Sequence, residues 1–266
     1  TSHRLAPAVG DRVVAWAGLE SPQAALKLLR HLETVVGDSI EGFEVVPASS
    51  LDLVLAHVDG TRAPLADRHP WNALIEAAVP MAVPSPAKEM QEALAPAFGI
   101  GLPRDAATAA SEAQAEAMWR LRDSISEAEK KDGPAAKHDI SVPVADMPGF
   151  VVDAAASVEA RFPGVAVNAF GHLGDGNIHF NVRAPAGAGA DWMEGEGEAV
   201  TAFVHDLVPA AGGSISAEHG IGQMKLAELA RLGDPVRLKA MRAIKQALDP
   251  HDIMNPGKLV PPEDSA

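Results

Sequence analysis

Residues 164–183 read GVAVNAFGHLGDGNIHFNVR, and this stretch decides how the chain is built. Two strand-like runs flank the dipeptide Asp175-Gly176, which suits a two-residue type I′ turn because both of its positions need positive φ. Such a turn fixes the register, so we predict a β-hairpin in which His172 pairs directly with His179. The two runs are Gly164 to Leu173 and Asn177 to Arg183.

Alternation along the two runs separates an apolar face from a polar face. The apolar face collects Val165, Val167, Ala169, Ile178, Phe180 and Val182, and the polar face collects Asn168, His172, His179, Asn181 and Arg183. We expect the apolar face to lie on the core. Two opposed imidazoles on the other face suit a borderline divalent metal, although polar histidines on a solvated sheet are the alternative.

A second segment, residues 212–222, reads GGSISAEHGIG and places Glu218 beside His219 just before a predicted helix. The glycines let backbone approach a ligand closely, and a helix N-terminus favours negative charge. This segment favours a metal site in which Glu218 joins His172 and His179, with His219 next to it as a base.

The rest of the chain alternates strand-like runs with amphipathic helical stretches, which predicts an α/β or α+β fold with helices covering a sheet. A long helix from Ala107 to Lys131 would put Arg122 and Ser126 on one face, and Lys137 would begin the following strand. These three side chains could converge on an anion, or the two cations could simply be exposed. The other predicted strands are 12–17, 42–47, 71–79 and 137–142, and the other predicted helices lie near 86–94, 148–161, 193–207, 221–232 and 235–248, with one more from about Ser21.

Composition limits the function classes. The 266 residues carry a formal net charge of −14 without a basic stripe, which argues against nucleic-acid binding. The chain has no cysteine, so His, Asp and Glu must hold any metal. No apolar run is long enough for a membrane helix and no secretory signal is present, so we expect a cytoplasmic protein.

Three motifs in order, GHLGDGNIHFN at 171–181, SAEHGIG at 216–222 and MNPGK at 254–258, resemble the C-terminal half of the FAD-linked D-2-hydroxy-acid dehydrogenases of the vanillyl-alcohol-oxidase superfamily. The resemblance implies an α+β fold: a ferredoxin-like cap domain over 1–220, with an antiparallel sheet covered by helices, and a C-terminal helical segment over 221–266. It also implies that the N-terminal FAD-binding domain is missing, through truncation or because it lies on another chain, and that this chain alone is inactive.

The resemblance assigns roles to individual residues. It implies a divalent metal, zinc first with manganese or iron next, on His172, His179 and Glu218, with His219 as the catalytic base. It implies that four residues bind substrate and that two face the FAD. The substrate residues are Arg122, Ser126, Lys137 and Asn181, and the flavin residues are Asn255 and Lys258.

The sequences Ser216-Ala217 and KHDISVP at 137–143 resemble the branch that acts on D-2-hydroxyglutarate more than the D-lactate or glycolate branches. The implied partners are a small 2-hydroxy mono- or dicarboxylate, the FAD-binding domain, and an electron acceptor such as an electron-transfer flavoprotein or quinone. A homodimer is compatible with these expectations. Two other functions fit the residues: a metal-dependent hydrolase or hydratase, and a non-enzymatic domain that binds metal and carboxylate.

Overall fold

The computed structural model of the chain describes residues 11–79, 85–258 and 260–261, and the seven strands of this part form one sheet. The strands are β1 Asp11–Leu19, β2 Ile40–Pro47, β3 Trp71–Val79, β4 Asp105–Thr108, β5 Ala135–Ser141, β6 Ala166–His172 and β7 Asn177–Arg183. The α-helices are α1 Pro22–Val36, α2 Ala48–His57, α3 Pro86–Gly99, α4 Glu112–Asp123, α5 Ile125–Asp132, α6 Met147–Arg161, α7 Glu196–Ala210, α8 Leu226–Leu232 and α9 Pro235–Leu248.

The sheet joins two ferredoxin-like βαββαβ arrangements side by side, in the order β4-β1-β3-β2-β6-β7-β5 with every pairing antiparallel. In the second arrangement, a bridge between Ser141 and Ser214 stands where the fourth strand would lie. The two units meet at β2 and β6, where Glu44 pairs with His172. The predicted α+β fold, a ferredoxin-like antiparallel sheet covered by helices, is confirmed.

Each face of the sheet carries its own hydrophobic core, because side chains alternate along every strand. Helices α1, α3, α6 and α7 cover one face, and their core includes Leu28, Ile75 and Phe180. Helices α2, α4 and α5 cover the other face, which includes Trp16 and Phe170. The predicted apolar face of the 164–183 hairpin lies in the first core, and its polar residues lie on the second face.

The predicted register of the hairpin is wrong by two residues. His172 pairs with Asn177, and His179 pairs with Phe170. The connection is a four-residue loop rather than a type I′ turn, and it closes with a hydrogen bond from the backbone N–H of Gly176 to the carbonyl of His172 (3.1 Å). The cause is Leu173, which is buried and donates its N–H to Phe43 of β2 (2.9 Å). A two-residue shift keeps every side chain on its predicted face.

The loop requires glycine at position 176, and this requirement can be tested. The φ of Gly176 is +78°, and a Cβ at this position would overlap the carbonyl oxygen of Val142. We therefore expect Gly176→Ala to lower the free energy of unfolding by at least about 2 kcal/mol in urea denaturation. Gly174→Ala, two residues away in open space, is the matched control and should be nearly neutral. Equal effects of the two substitutions would contradict this account of the loop.

The long helix predicted over Ala107 to Lys131 is also wrong. Residues 105–108 form the edge strand β4, and the helical part is divided at Ser124 into α4 and α5. The N–H of Ser124 caps α4 by donating to Arg120 (3.0 Å), and α5 then packs against α2, a helix that the pattern did not predict. The predicted helices at 193–207 and 221–232 begin later, at Glu196 and Leu226.

The C-terminal segment exposes more large apolar side chains than the sheet does. In the described part of it, α8, α9 and the adjoining loops leave six such residues largely exposed. They are Met224, Val236, Ile244, Leu248, Ile253 and Met254. None of the described helices has the length and apolar character needed to cross a membrane. The predicted boundary between 1–220 and 221–266 stays a prediction, and both outer ends fall outside the described residues.

Candidate metal and substrate site

The three predicted ligands converge at the junction of the two units. His172 ends β6, His179 lies on β7, and Glu218 lies in the loop before α8; one donor atom from each comes within 4.8 Å of the others. Nε2 of His172 is 3.2 Å from Oε1 of Glu218, and the two imidazole centroids are 5.7 Å apart. The histidines are diagonal neighbours rather than directly opposed, and this spacing still allows one ion to contact both.

A buried carboxylate that the sequence reading missed stands behind His172. Glu44, 2% exposed, accepts a short hydrogen bond from Nδ1 of His172 through one oxygen and a bond from Nε of Arg122 (2.9 Å) through the other. Nη2 of Arg122 lies 3.2 Å from Nε2 of His172. Arg122 therefore borders the cluster.

These contacts shift the pKa values of the groups around the cluster. The hydrogen bond to Glu44 raises the pKa of His172, whereas burial lowers the pKa of His179. Burial works to raise the pKa of Glu44, but the hydrogen bond from His172 and the charge of Arg122 leave it below its ordinary value. His179 is thus held in the neutral form that binds metals.

Asp139 on β5 fixes the segment that carries the acid and the base. One of its carboxylate oxygens accepts the backbone N–H groups of Glu218 (2.9 Å) and His219 (2.8 Å), and it lies 3.4 Å from Nδ1 of His219. Lys225, whose pKa is lowered by burial, donates to the backbone carbonyls of Asp139 (3.2 Å) and Ile215 (2.8 Å). The loop is tied to the sheet, while the His219 side chain is 71% exposed.

Glu129 of α5 gathers the predicted substrate residues on β5 and β7. Its fully buried carboxylate accepts from Lys137 (3.1 Å), Asn181 (2.7 Å) and Asn168 (2.7 Å). Lys137 keeps its side chain 36% exposed and also contacts the carbonyl of Ser126 (3.4 Å). A buried anion thus holds Lys137 and Asn181 on the sheet face that carries the two histidines.

The remaining predicted site residues are Ser126, Asn255 and Lys258. Ser126 lies on α5, beyond the end of the helix that carries Arg122, and its side chain is exposed; the convergence of Arg122 and Ser126 on an anion stays a prediction. Asn255 borders a cavity of about 620 Å³ between α9 and the C-terminal tail. Lys258 lies in the same tail, and its N–H contacts the carbonyl of Asn255 (3.3 Å). The flavin contacts implied for these two residues stay predictions.

Glu44, Asp139 and Glu129 are the supporting residues that sequence reasoning missed. Glu44 interrupts the apolar run Phe43 to Val46, and a carboxylate in such a run needs a buried partner. The sequence around Glu44 therefore contained a signal for a buried, paired carboxylate. Glu129 had none, since it lies among the charged residues of α5 like any surface glutamate.

Comparison with known proteins now identifies the family. Residues 10–259 match the model for the C-terminal domain of FAD linked oxidases. The chain belongs to this family. The predicted resemblance is therefore confirmed over nearly the whole chain.

Two curated relatives of this FAD-linked oxidase domain share a name. D-2-hydroxyglutarate dehydrogenase of Xanthomonas citri pv. viticola is 38% identical over 232 residues, which cover 85% of this chain and 47% of that protein. The mitochondrial D-2-hydroxyglutarate dehydrogenase of Arabidopsis thaliana is 34% identical and covers 88% of this chain and 40% of its own length. The chain spans less than half the length of these relatives.

Solved structures support the same fold for the domain. 4-Ethylphenol oxidase from Gulosibacter chungangensis matches 99% of this chain and 56% of its own, with a TM-score of 0.63 and 13% identity. p-Cresol methylhydroxylase matches 95% of this chain and 53% of its own, with a TM-score of 0.59 and 13% identity. At this identity the similarity concerns the fold alone.

Proposed function

We propose that this chain is the substrate- and metal-binding part of an FAD-dependent dehydrogenase that oxidises a D-2-hydroxy acid to the 2-oxo acid, with D-2-hydroxyglutarate as its substrate. The observation that carries the proposal is the approach of His172, His179 and Glu218 to within 4.8 Å. Arg122 borders this cluster and His219 follows it in the chain. The names of the curated relatives support the choice of acid.

The residues present fit a divalent ion. Two imidazoles and one carboxylate suit zinc, and also manganese or iron, and three protein ligands leave open positions as catalytic sites do. With Nδ1–H of His172 engaged by Glu44, the lone pair of Nε2 faces the cluster. The lowered pKa of His179 favours its neutral, ligating form.

The protein residues have distinct tasks in this reaction. A bound divalent ion would supply Lewis acidity to a substrate hydroxyl and the flavin would supply a hydride acceptor. His219, with Nδ1 turned toward Asp139, presents Nε2 to take up the hydroxyl proton. Nε of Arg122 donates to Glu44, and Nη2 lies toward the cluster, where it would bind a carboxylate. Lys137 would bind the second carboxylate of a diacid.

We also propose that the exposed apolar side chains of residues 224–254 pack against the flavin-binding part of the enzyme, on the same chain or another. Large exposed apolar surfaces commonly mark interfaces. Electrons would then pass to an electron-transfer flavoprotein or a quinone. We further propose that the enzyme forms a homodimer and is located in the cytoplasm.

Substrate preference tests the proposal in the flavin-loaded enzyme. Because Lys137 would bind only the distal carboxylate, we expect Lys137→Met to raise KM for D-2-hydroxyglutarate by about 10- to 100-fold while leaving KM for D-lactate nearly unchanged. Lys130→Met, which removes an exposed lysine from α5, is the control. Failure of every D-2-hydroxy acid to reduce the flavin would refute the proposal, and metal-dependent hydration or hydrolysis without flavin reduction would favour the hydrolase alternative.

A further inference from the structure

Glu44 is a buried anion that contacts two site residues. His172 lies on β6 of the other ferredoxin-like unit, and Arg122 lies on α4, in the helical layer over the sheet. We propose that Glu44 is a positioning residue that orients His172 and supplies the negative charge with which the cluster accepts a dication. This role rests on the metal site proposed above. Glu44 itself would not touch the ion.

Glu44 fixes which ring nitrogen of His172 carries the proton. Glu44 accepts the hydrogen bond of Nδ1, which requires the proton to be on Nδ1 and leaves the lone pair of the neutral ring on Nε2. Nε2 is the atom that lies 3.2 Å from Glu218. Without Glu44, a proton on Nε2 would be favoured by that same Glu218 oxygen, and the ring would lose its ligating lone pair at the cluster.

Glu44 also balances the positive charge of Arg122 beside the cluster. Nη2 of Arg122 lies 3.2 Å from the nitrogen that would bind the ion, and a guanidinium at that distance repels a dication. Glu44 pairs with Nε of this arginine at 2.9 Å. Among the charged groups in contact with the His172 ring, Arg122 and Glu218 sum to zero charge, and Glu44 brings the sum to −1. Glu44 therefore offsets the charge of Arg122 at His172, and Asp139 adds a further negative charge that acts on His179.

The sheet holds Glu44 and His172 in fixed positions relative to each other. Glu44 and His172 are register partners on β2 and β6, at the short seam between the two ferredoxin-like units. Their backbones are held by the sheet, and Glu44 is 2% exposed, so bulk water cannot replace the carboxylate as a hydrogen-bond partner. The metal cluster is thus built across the seam, with its supporting anion on one unit and two of its ligands on the other.

Zinc affinity of the chain tests this inference. We expect Glu44→Gln, which keeps the shape and removes the charge, to weaken binding of Zn²⁺ by about 10- to 100-fold in competition with a chromophoric chelator. Glu76→Gln is the matched control, because Glu76 is a partly buried β3 carboxylate that accepts from Trp119 (2.6 Å) and contacts Arg12 (3.5 Å) rather than the cluster. It should bind Zn²⁺ as the wild type does. Equal affinity of Glu44→Gln and wild type would overturn the inference and leave the proposed function standing.

A metal-free measurement separates this inference from the proposed function. In ¹⁵N-histidine-labelled chain, at a pH where the imidazoles are neutral, long-range ¹H–¹⁵N spectra should show the Nδ1–H tautomer of His172 in wild type and a shift to Nε2–H in Glu44→Met. If wild type binds no Zn²⁺, the proposed metal site fails and this shift alone decides the orienting role. An unchanged tautomer in a folded Glu44→Met variant would overturn that role.

Discussion

His172→Ala is expected to remove stoichiometric metal from the chain, weakening Zn²⁺ binding by more than about 100-fold, beyond what loss of a supporting residue causes. The reason is that His172 is one of two imidazoles in a three-ligand cluster, and the remaining pair cannot enclose the ion. The fold should survive, because Glu44 and Arg122 keep their own 2.9 Å ion pair when the ring is gone. Elemental analysis after dialysis and chelator competition measure the effect.

The control for this substitution is His57→Ala. His57 is a partly exposed histidine whose Nε2 lies 3.4 Å from Asp132, outside the cluster, so its loss should leave metal content unchanged. Circular dichroism should be the same for all three proteins. Wild type without stoichiometric metal, or His172→Ala with wild-type affinity, would remove the basis of the proposed metal site.

The hairpin shows why the site was predictable despite an incorrect register. Sequence alternation assigns faces, and faces depend only on whether a shift is even or odd. The burial of Leu173 lengthened the turn and moved the pairing by two residues, so His172 and His179 stayed on one face. The exact partners depended on a contact with Phe43 of β2, more than a hundred residues earlier, which no local pattern contains.

In the α4–α5 region, by contrast, the local sequence pattern predicted the wrong structure. Apolar spacing predicts one helix through Ser124, a residue that neither breaks helices like proline nor ends them like glycine. The break is favoured by tertiary contacts: Arg122 contacts Glu44, and Glu129 is buried against Asn168 and Asn181. Arg122 and Lys137 were named from family resemblance, but their pairing with Glu44 and Glu129 came only from the structure.

His219→Ala is expected to lower kcat for D-2-hydroxy-acid oxidation by about 100- to 10,000-fold in the flavin-loaded enzyme, the usual contribution of a positioned general base. Metal content should be retained, because His219 is not among the ligands of the cluster and its backbone N–H still bonds Asp139. His57→Ala should keep the rate.

Rescue by free imidazole distinguishes a base from a merely structural histidine. The His219 side chain is 71% exposed, so its removal leaves a space that imidazole can enter from solvent, and added imidazole should restore part of kcat in His219→Ala. It should not restore His172→Ala, whose ring lies between Glu44 and Glu218. An unchanged kcat in His219→Ala would assign proton uptake to another group. A rate loss with no rescue by imidazole would reduce His219 to a support of the loop that carries Glu218.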